Sequence, residues 1–317
     1  MFTLIKRLQE LLAIMRKNKG IWFTTLSILS ISGIFVFMYI VVTMTDTVSS
    51  KVYKSMNDTY ELNFNAKIAN RQDDFKKLAG LLEENKLLTT AIETNDRVAL
   101  DVLTNDINEN FVNNGFLDLS VRFVSLLDKE QVLRNSLNTA ISTKRDIYGT
   151  EVLENGVFSV YILPLIKENI VYGILEIKES IHSFRNLLVR EGSEYIFLLD
   201  KKMLSSLSLE QKTGKYKEID NDFLLKQGQY DTKFATSISN IDTNTFEEFL
   251  EIGYILDNGY FRVAKKLTDI NGVEIGLIIT GKKIEETGGF VNIAGDMTNS
   301  VTTAALGLVI SIILFLF

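Results

Sequence analysis

Two apolar runs near the ends constrain this chain more than any other feature. Ile21–Met44 holds no charged residue. As a helix its roughly 24 residues would be about 36 Å long, enough to cross a bilayer with some tilt. Trp22 and Tyr39 lie near its two ends, where interfacial aromatic rings are common. Lys6, Arg7, Arg16, Lys17 and Lys19 precede it, which predicts a cytoplasmic N-terminus. A cleaved signal peptide has a shorter apolar core and a small-residue cleavage site; neither is found, so the run reads as an uncleaved anchor. The second run, Val301–Phe317, is about 17 residues, short for a span. Thr303, Gly307 and Ser311 recur at every fourth position in it, a pattern suited to close helix packing. A membrane span is the expectation, and a buried C-terminal core helix is the alternative.

Two spans divide the chain into a cytoplasmic segment 1–20, a first transmembrane helix 21–44, an extracytoplasmic region 45–300 and a second transmembrane helix 301–317. The central region of roughly 255 residues is ample to bury a core. The first twenty residues carry a net +4 against −6 for the whole chain, so the remainder is acidic at −10. An acidic ectodomain argues against nucleic acid as the partner.

The 317 residues include no cysteine and one histidine, His182. Disulfides, thiolate zinc sites, iron–sulfur clusters and cysteine nucleophiles are excluded, as is a metal site with two His ligands from one chain. Any histidine-dependent triad would have to use His182. Neither catalysis, a metal nor a cofactor is expected. Asp128, Glu130, Glu151 and Glu154 sit at turns and strand ends, where acids are ordinary, and suggest no acid–base pair. Gly253, Gly259, Gly272, Gly276 and Gly281 suit turns and hairpins; they do not form a phosphate loop opening a helix.

Residues 45–88 read as one long amphipathic helix. Val48, Val52, Met56, Tyr60 and Phe64 recur at four-residue spacing, and Phe75, Leu78 and Leu82 continue the apolar face. A strict step of four drifts by about 40° per turn, so this is no clean heptad seam; the helix is expected to pack partly on its own domain and partly on a partner chain. Further helix is expected near 95–110. At Leu119 the period changes. Strands are expected at 120–127, 150–154, 156–166, 170–180 and 194–200, with a turn at Asp128-Lys129-Glu130 and a hairpin over Lys167-Glu168-Asn169. Helix is expected at 181–191 and 246–251. A last hairpin, 259–267 with 273–281, turns on Asp269-Ile270-Asn271-Gly272. The order predicts an α+β chain with two successive antiparallel modules. A parallel sheet would need regular crossover helices, which are missing.

This order resembles the double Cache domains of bacterial chemoreceptors and sensor kinases: two PAS-like antiparallel-sheet modules on a long N-terminal helix between two membrane spans. Four stretches over 45–300 carry the resemblance. FVSLLDKEQVLR (Phe123–Arg134) is similar to the family's strand, turn and arginine. YGTEVLENGVFSVYILPLIKENIVYGILEIKES (Tyr148–Ser180) is similar to its central hairpin, with Pro164 and Gly173 at the expected positions. EYIFLLDKKML (Glu194–Leu204) is similar to the strand that opens the second module, and GYFRVAKKLTDINGVEIGLIITGKK (Gly259–Lys283) to the closing hairpin. The chain departs from the pattern after Arg134: Asn135-Ser136-Leu137-Asn138 stand where some members have a His, a Pro and a Gly-Asp loop.

The resemblance implies a membrane-distal module at about 89–182 and a proximal one at about 183–287. It also implies a periplasmic input region in the inner membrane, a homodimer, and a small ligand, a carboxylate or amino acid, in the distal module. Arg134, Lys144, Arg145 and Tyr148 come from the stretch beside that pocket, and Arg122, Ser159 and Tyr161 from its strands. An arginine fork near Tyr or Ser suits a carboxylate; taken singly, the loop cations equally suit solvated surface. His182 reads as a surface or capping residue. A methyl-accepting, kinase or cyclic-dinucleotide output is absent from these 317 residues, so it is expected either on a longer chain or on a separate partner. Gly288-Gly289 would link the last hairpin to the second span. The rival expectation is a bitopic structural or assembly protein whose ectodomain binds another protein. A partly polar cavity in the distal module favours sensing, and a filled apolar core favours the rival.

Overall fold

The computed structural model describes residues 19–126 and 133–287, together with 296, 299–304, 306, 307 and 310. The expected turn at 128–130 and the Gly288-Gly289 link lie outside the described residues, as does most of 301–317. The chain divides into two compact units, one of residues 1–56 and 284–317, the other of Asn57–Lys283.

In the first unit the apolar run is helical, within α1 (Lys19–Glu83). Ile31, Phe35, Val36, Phe37, Tyr39, Ile40 and Met44 are exposed, as side chains facing lipid would be. The hydroxyls in and beside the run turn back on their own helix: Thr24 donates to Gly20 O at 2.9 Å, Thr43 to Tyr39 O at 2.8 Å and Thr45 to Val41 O at 2.8 Å. These three hydroxyls are thereby satisfied without water, as hydrocarbon requires. Among the described residues α1 is the one helix long and apolar enough to cross a membrane.

The second unit is mixed α+β, with two antiparallel sheets. After α1 come α2 (Lys86–Glu93) and α3 (Arg97–Asn113). The long helix stops at Glu83, short of the expected 88, because Asn85 caps a new one: its side chain accepts from the Leu87 and Leu88 N–H groups. The first sheet follows, with β1 (Leu119–Ser125), α4 (Asn135–Thr143), β2 (Ile147–Leu153), β3 (Gly156–Lys167) and β4 (Ile170–Ser180), in the order β1-β4-β3-β2. The β3–β4 turn is reduced to Glu168 and Asn169, both at positive φ, the mirror-image turn that matches strand twist. Helix α4 occupies what the sequence suggested as loop, and β2 starts three residues earlier than expected.

A 3₁₀ turn (Ile181–Ser183) and α5 (Phe184–Val189) replace the single helix expected at 181–191. The second sheet is built from β5 (Glu194–Asp200), β6 (Tyr216–Glu218), β7 (Phe223–Lys226), β8 (Tyr254–Asp257), β9 (Tyr260–Thr268) and β10 (Glu274–Lys283), in the order β6-β7-β5-β10-β9-β8. Helices α6 (Leu209–Lys212), α7 (Thr232–Ser239) and α8 (Thr243–Ile252) lie between its strands in sequence. The closing hairpin turns where the sequence placed it, with the Asp269 carboxylate accepting from the N–H groups of Asn271 and Val273.

Each sheet has apolar residues on both faces. One face of the first sheet (Leu119, Val121, Tyr161, Leu165, Leu175, Ile177) packs on Phe75, Ala79 and Leu82 of α1 and on α2 and α3. Its other face (Val124, Val160, Ile162, Ile174) packs on Leu137 and Ala140 of α4. In the second sheet, Tyr195, Phe197, Leu199, Leu224 and Ile278 join Phe64 of α1 with α5. Its opposite face is covered by Phe234, Ile238, Phe246 and Phe249 of α7 and α8. The two sheets also meet directly. Val157 of β3 lies in the second sheet's core, and the Ile270 N–H donates to Thr150 O at 3.0 Å. Gly149 leaves room for Ile270, which any Cβ there would strike.

Gly173 on β4 is equally constrained: a Cβ would run into Ile92 and lie 3.1 Å from Val124 O. Ile92 is fully buried, so the crowding has nowhere to go. Gly173→Ala is expected to cost about 1–3 kcal/mol, measured as a lower urea midpoint with unchanged slope.

Candidate functional site

The first sheet has the densest set of buried charge. Its central strand β4 reads IVYGILEIKES, and alternation sends Glu176 and Lys178 to the α4 face and Glu179 to the helix-backed face. A carboxylate inside a sheet needs a partner, and each Glu has one. Arg134, the residue before α4, forks over Glu176: Nη1 donates to Oε2 at 3.2 Å and Nη2 to Oε1. Its Nε donates to Glu151 Oε2 at 2.9 Å and to Ser136 Oγ at 3.0 Å. Glu176 is 1% exposed and Glu151 is buried. Burial works against the guanidinium's charge, yet the two carboxylates outweigh it and raise its pKa. On the opposite face Arg71 of α1 forks over Glu179, with Nε to Oε2 at 2.6 Å, and its guanidinium stands 5.1 Å from the centre of the Phe75 ring.

Alternation also separates the residues that the sequence suggested. Arg122 and Arg134 are on the α4 face. Arg122 is exposed and lines a cavity of about 280 Å³ with Asn95, Arg97 and Asp101. Tyr148, Ser159 and Tyr161 are on the helix-backed face, in or beside the core. Burial, tempered by a hydrogen bond with Ser159, pushes the Tyr148 hydroxyl up to about 12. Tyr161 Oη donates to Asp146 Oδ2 at 2.8 Å, and burial first, then that carboxylate, raises its pKa. Lys144 ends α4 in a left-handed conformation and donates to Asn169 O and Oδ1 at 2.8 and 2.9 Å. Arg145 is exposed. The structure thus brings Arg122 and Arg134 to one face, with Lys178 between the two elements in their electrostatic reach, and puts the hydroxyl-bearing candidates on the other.

Two readings of single residues change. Glu151 is no ordinary strand-end acid, because Arg134 binds it in the interior. His182 is packed within the unit; the expected surface position is not what the fold gives. Its Nδ1 lies 2.6 Å from Tyr230 Oη, which also bonds the Phe197 backbone. Burial, and then Lys226, push its pKa down to about 3, so the ring is neutral near neutral pH. Sequence reasoning missed Glu176 as the partner of Arg134, and Lys178 and Lys226 as half-buried charges. The signal that was present is a pair of charges two residues apart in an otherwise apolar strand.

No protein-family model matches the chain, and no curated protein matches it significantly. Solved structures that it resembles include the sensor domain of the Vibrio cholerae histidine kinase DctB, at 10% identity and a TM-score of 0.39, covering 73% of this chain and 98% of that one. The ligand-binding domain of the Pseudomonas fluorescens chemoreceptor CtaA in complex with L-leucine aligns at 12% identity and a TM-score of 0.36, covering 73% and 97%. The periplasmic domain of V. cholerae LuxQ aligns at 12% and 0.35, covering 74% and 98%. The likeness is to sensor domains of histidine kinases and chemoreceptors, the proteins whose domains the sequence resembles. At these identities and TM-scores it carries no functional conclusion.

Two outcomes follow from the buried groups. Arg134→Met, which strands both Glu176 and Glu151, is expected to cost about 3–5 kcal/mol, while adding Glu176→Met recovers part of the loss and leaves the part due to Glu151; urea unfolding of the four proteins checks this. For His182 the folded pKa lies below the ordinary 6.5. The unfolded chain therefore takes up a proton that the folded chain refuses. This contribution to stability is present above about pH 6.5 and is lost as pH falls toward 3. His182→Gln is expected to flatten that part of the stability profile, read by urea midpoints from pH 7 to 4.

Proposed function

We propose that this chain is the extracytoplasmic, ligand-sensing input region of a bacterial transmembrane receptor of the chemoreceptor or sensor-kinase type. It is held in the inner membrane with the N-terminus inside, and it works as a homodimer. The observation that carries the reading is α1 itself. One helix holds a charge-free, exposed apolar run and then the buried stripe on which both sheets pack. A change at either sheet that favours one packing of that stripe can therefore bias the helix, and a ligand shifts the population by as much as it prefers one state.

The proposed ligand is a small carboxylate or amino acid in the first, distal module (about 89–182), with the proximal module at about 183–287. Arg122 is the freest of the candidate cations on the α4 face. Lys144, Arg145, Tyr148, Ser159 and Tyr161 remain candidates by position, while Arg134 organises the face from inside.

The rival reading, an ectodomain that binds another protein, is favoured by one specific observation: the described part of the α4 face is filled by Val124, Leu137, Ala140, Val160, Ile162 and Ile174.

The test is a thermal-shift screen of the full chain in lipid nanodiscs against organic acids and amino acids. At a hundred times the dissociation constant a ligand adds about 2.7 kcal/mol, a shift of a few degrees. A specific hit is expected. Its loss in Arg122→Ala, with the unliganded melting temperature unchanged, supports the distal site. A broad library without a hit on well-folded protein overturns sensing in favour of protein binding.

A further inference from the structure

Among the described residues, three of the cavities on the second unit differ in their charges. In the one beside α1, of about 260 Å³, Lys265 is engaged by Asn65 and stands 3.7 Å from Glu61. The one beside Arg122 is lined by two cations, Arg97 and Arg122, and by the acid Asp101. The third, of about 350 Å³, lies where the two sheets meet and is lined by Asp118, Ser120, Phe158, Lys178, His182 and Lys226, among others.

Lys178 is on β4 of the first sheet, Lys226 ends β7 of the second, and His182 is in the 3₁₀ turn that joins them. Both lysines are half-buried. Among the described residues nine other cations form ion pairs, Lys67, Lys167, Lys201 and Lys266 among them. Lys178 and Lys226 form none with the described residues; the Lys178 ammonium stands 5.2 Å from the centre of the Phe158 ring.

Burial lowers the pKa of each, and other cations add to it. For Lys178, Glu176 opposes the burial while Arg122 and Arg134 reinforce it. For Lys226, Lys215 reinforces it and Asp118 opposes it. His182 contributes no charge near neutral pH. Among the described residues Asp118 is the one carboxylate in the lining, against two ammonium groups. Hydroxyls of Ser120 and Ser180 and the carboxamides of Asn155 and Gln211 supply neutral donors around them. Half-buried ammonium groups that outnumber the acids beside them and form no ion pair are costly to keep charged, and an oxyanion between them offsets that cost.

We propose that this cavity is a binding site for a small oxyanion, a carboxylate or phosphate group, held by Lys178 from the first sheet and Lys226 from the second. An anion bridging the two lysines ties the sheets together across their junction. The site is separate from the distal ligand site, and either can fail without the other: a hit lost in Arg122→Ala but kept in the lysine variants belongs to the distal site alone.

The experiment uses the full chain in nanodiscs, titrated with inorganic phosphate or succinate against chloride at matched ionic strength. Lysines are reductively ¹³C-methylated, which keeps their charge, and the two signals are assigned from Lys178→Arg and Lys226→Arg. Saturable, parallel movement of both signals is expected with phosphate, succinate or both, and the arm that responds identifies the anion class. Lys178→Met and Lys226→Met are each expected to weaken binding at least tenfold, and the exposed Lys217→Met to leave it unchanged. Two stationary signals in the wild-type chain overturn the proposal, whether or not the variants fold. So does binding that both Met variants retain in full.

Discussion

The architecture of the second unit depends on the buried stripe of α1. Phe64 enters the core of the second sheet, and Phe75, Ala79 and Leu82 enter that of the first. Helices within a folded protein gain most of their stability from tertiary packing, so this part of the helix and the sheets are held by the same burial. Both cores therefore draw on the same helix. The direct joints between the sheets, through Val157 and through Ile270 on Thr150, add to this constraint.

The charge inside the first sheet is arranged on the same logic. Glu176 and Glu179 project from opposite faces of the central strand, and each is closed by an arginine from a different element, Arg134 before α4 and Arg71 on α1. A buried ion pair adds little net stability over an apolar pair, but losing one partner is expensive. Such pairs fix which element lies over which face. Arg134 is committed to two carboxylates, and this is why it organises the site more than it reads a ligand.

The contrast between the faces and the junction bears on function. Where the described part of the α4 face is closed by apolar side chains, the junction keeps an open, partly polar volume with two ammonium groups and few acids. Coupling between a ligand and a membrane helix requires a place where a bound molecule distinguishes two packings. The proposed anion site meets that requirement in geometry, because its lining comes from both sheets.

The sequence by itself determined the apolar helix, the two successive antiparallel modules, the central hairpin of the first and the closing hairpin of the second. These follow from local rules: a charge-free run, strand alternation, and turn residues such as Glu168-Asn169 and Asp269-Gly272. It also marked Gly173, whose need for no side chain is met by Ile92. What only the tertiary structure decided is which charges face one another. Strand alternation put Tyr148, Ser159 and Tyr161 behind the sheet and Arg122 and Arg134 in front of it, and it made a partner of Glu151, 17 positions from Arg134. His182 and Tyr230, 48 positions apart, and Lys178 and Lys226 meet through the order of strands across two sheets. Nothing local encodes that order, because it is set by how two apolar cores close on the same helix.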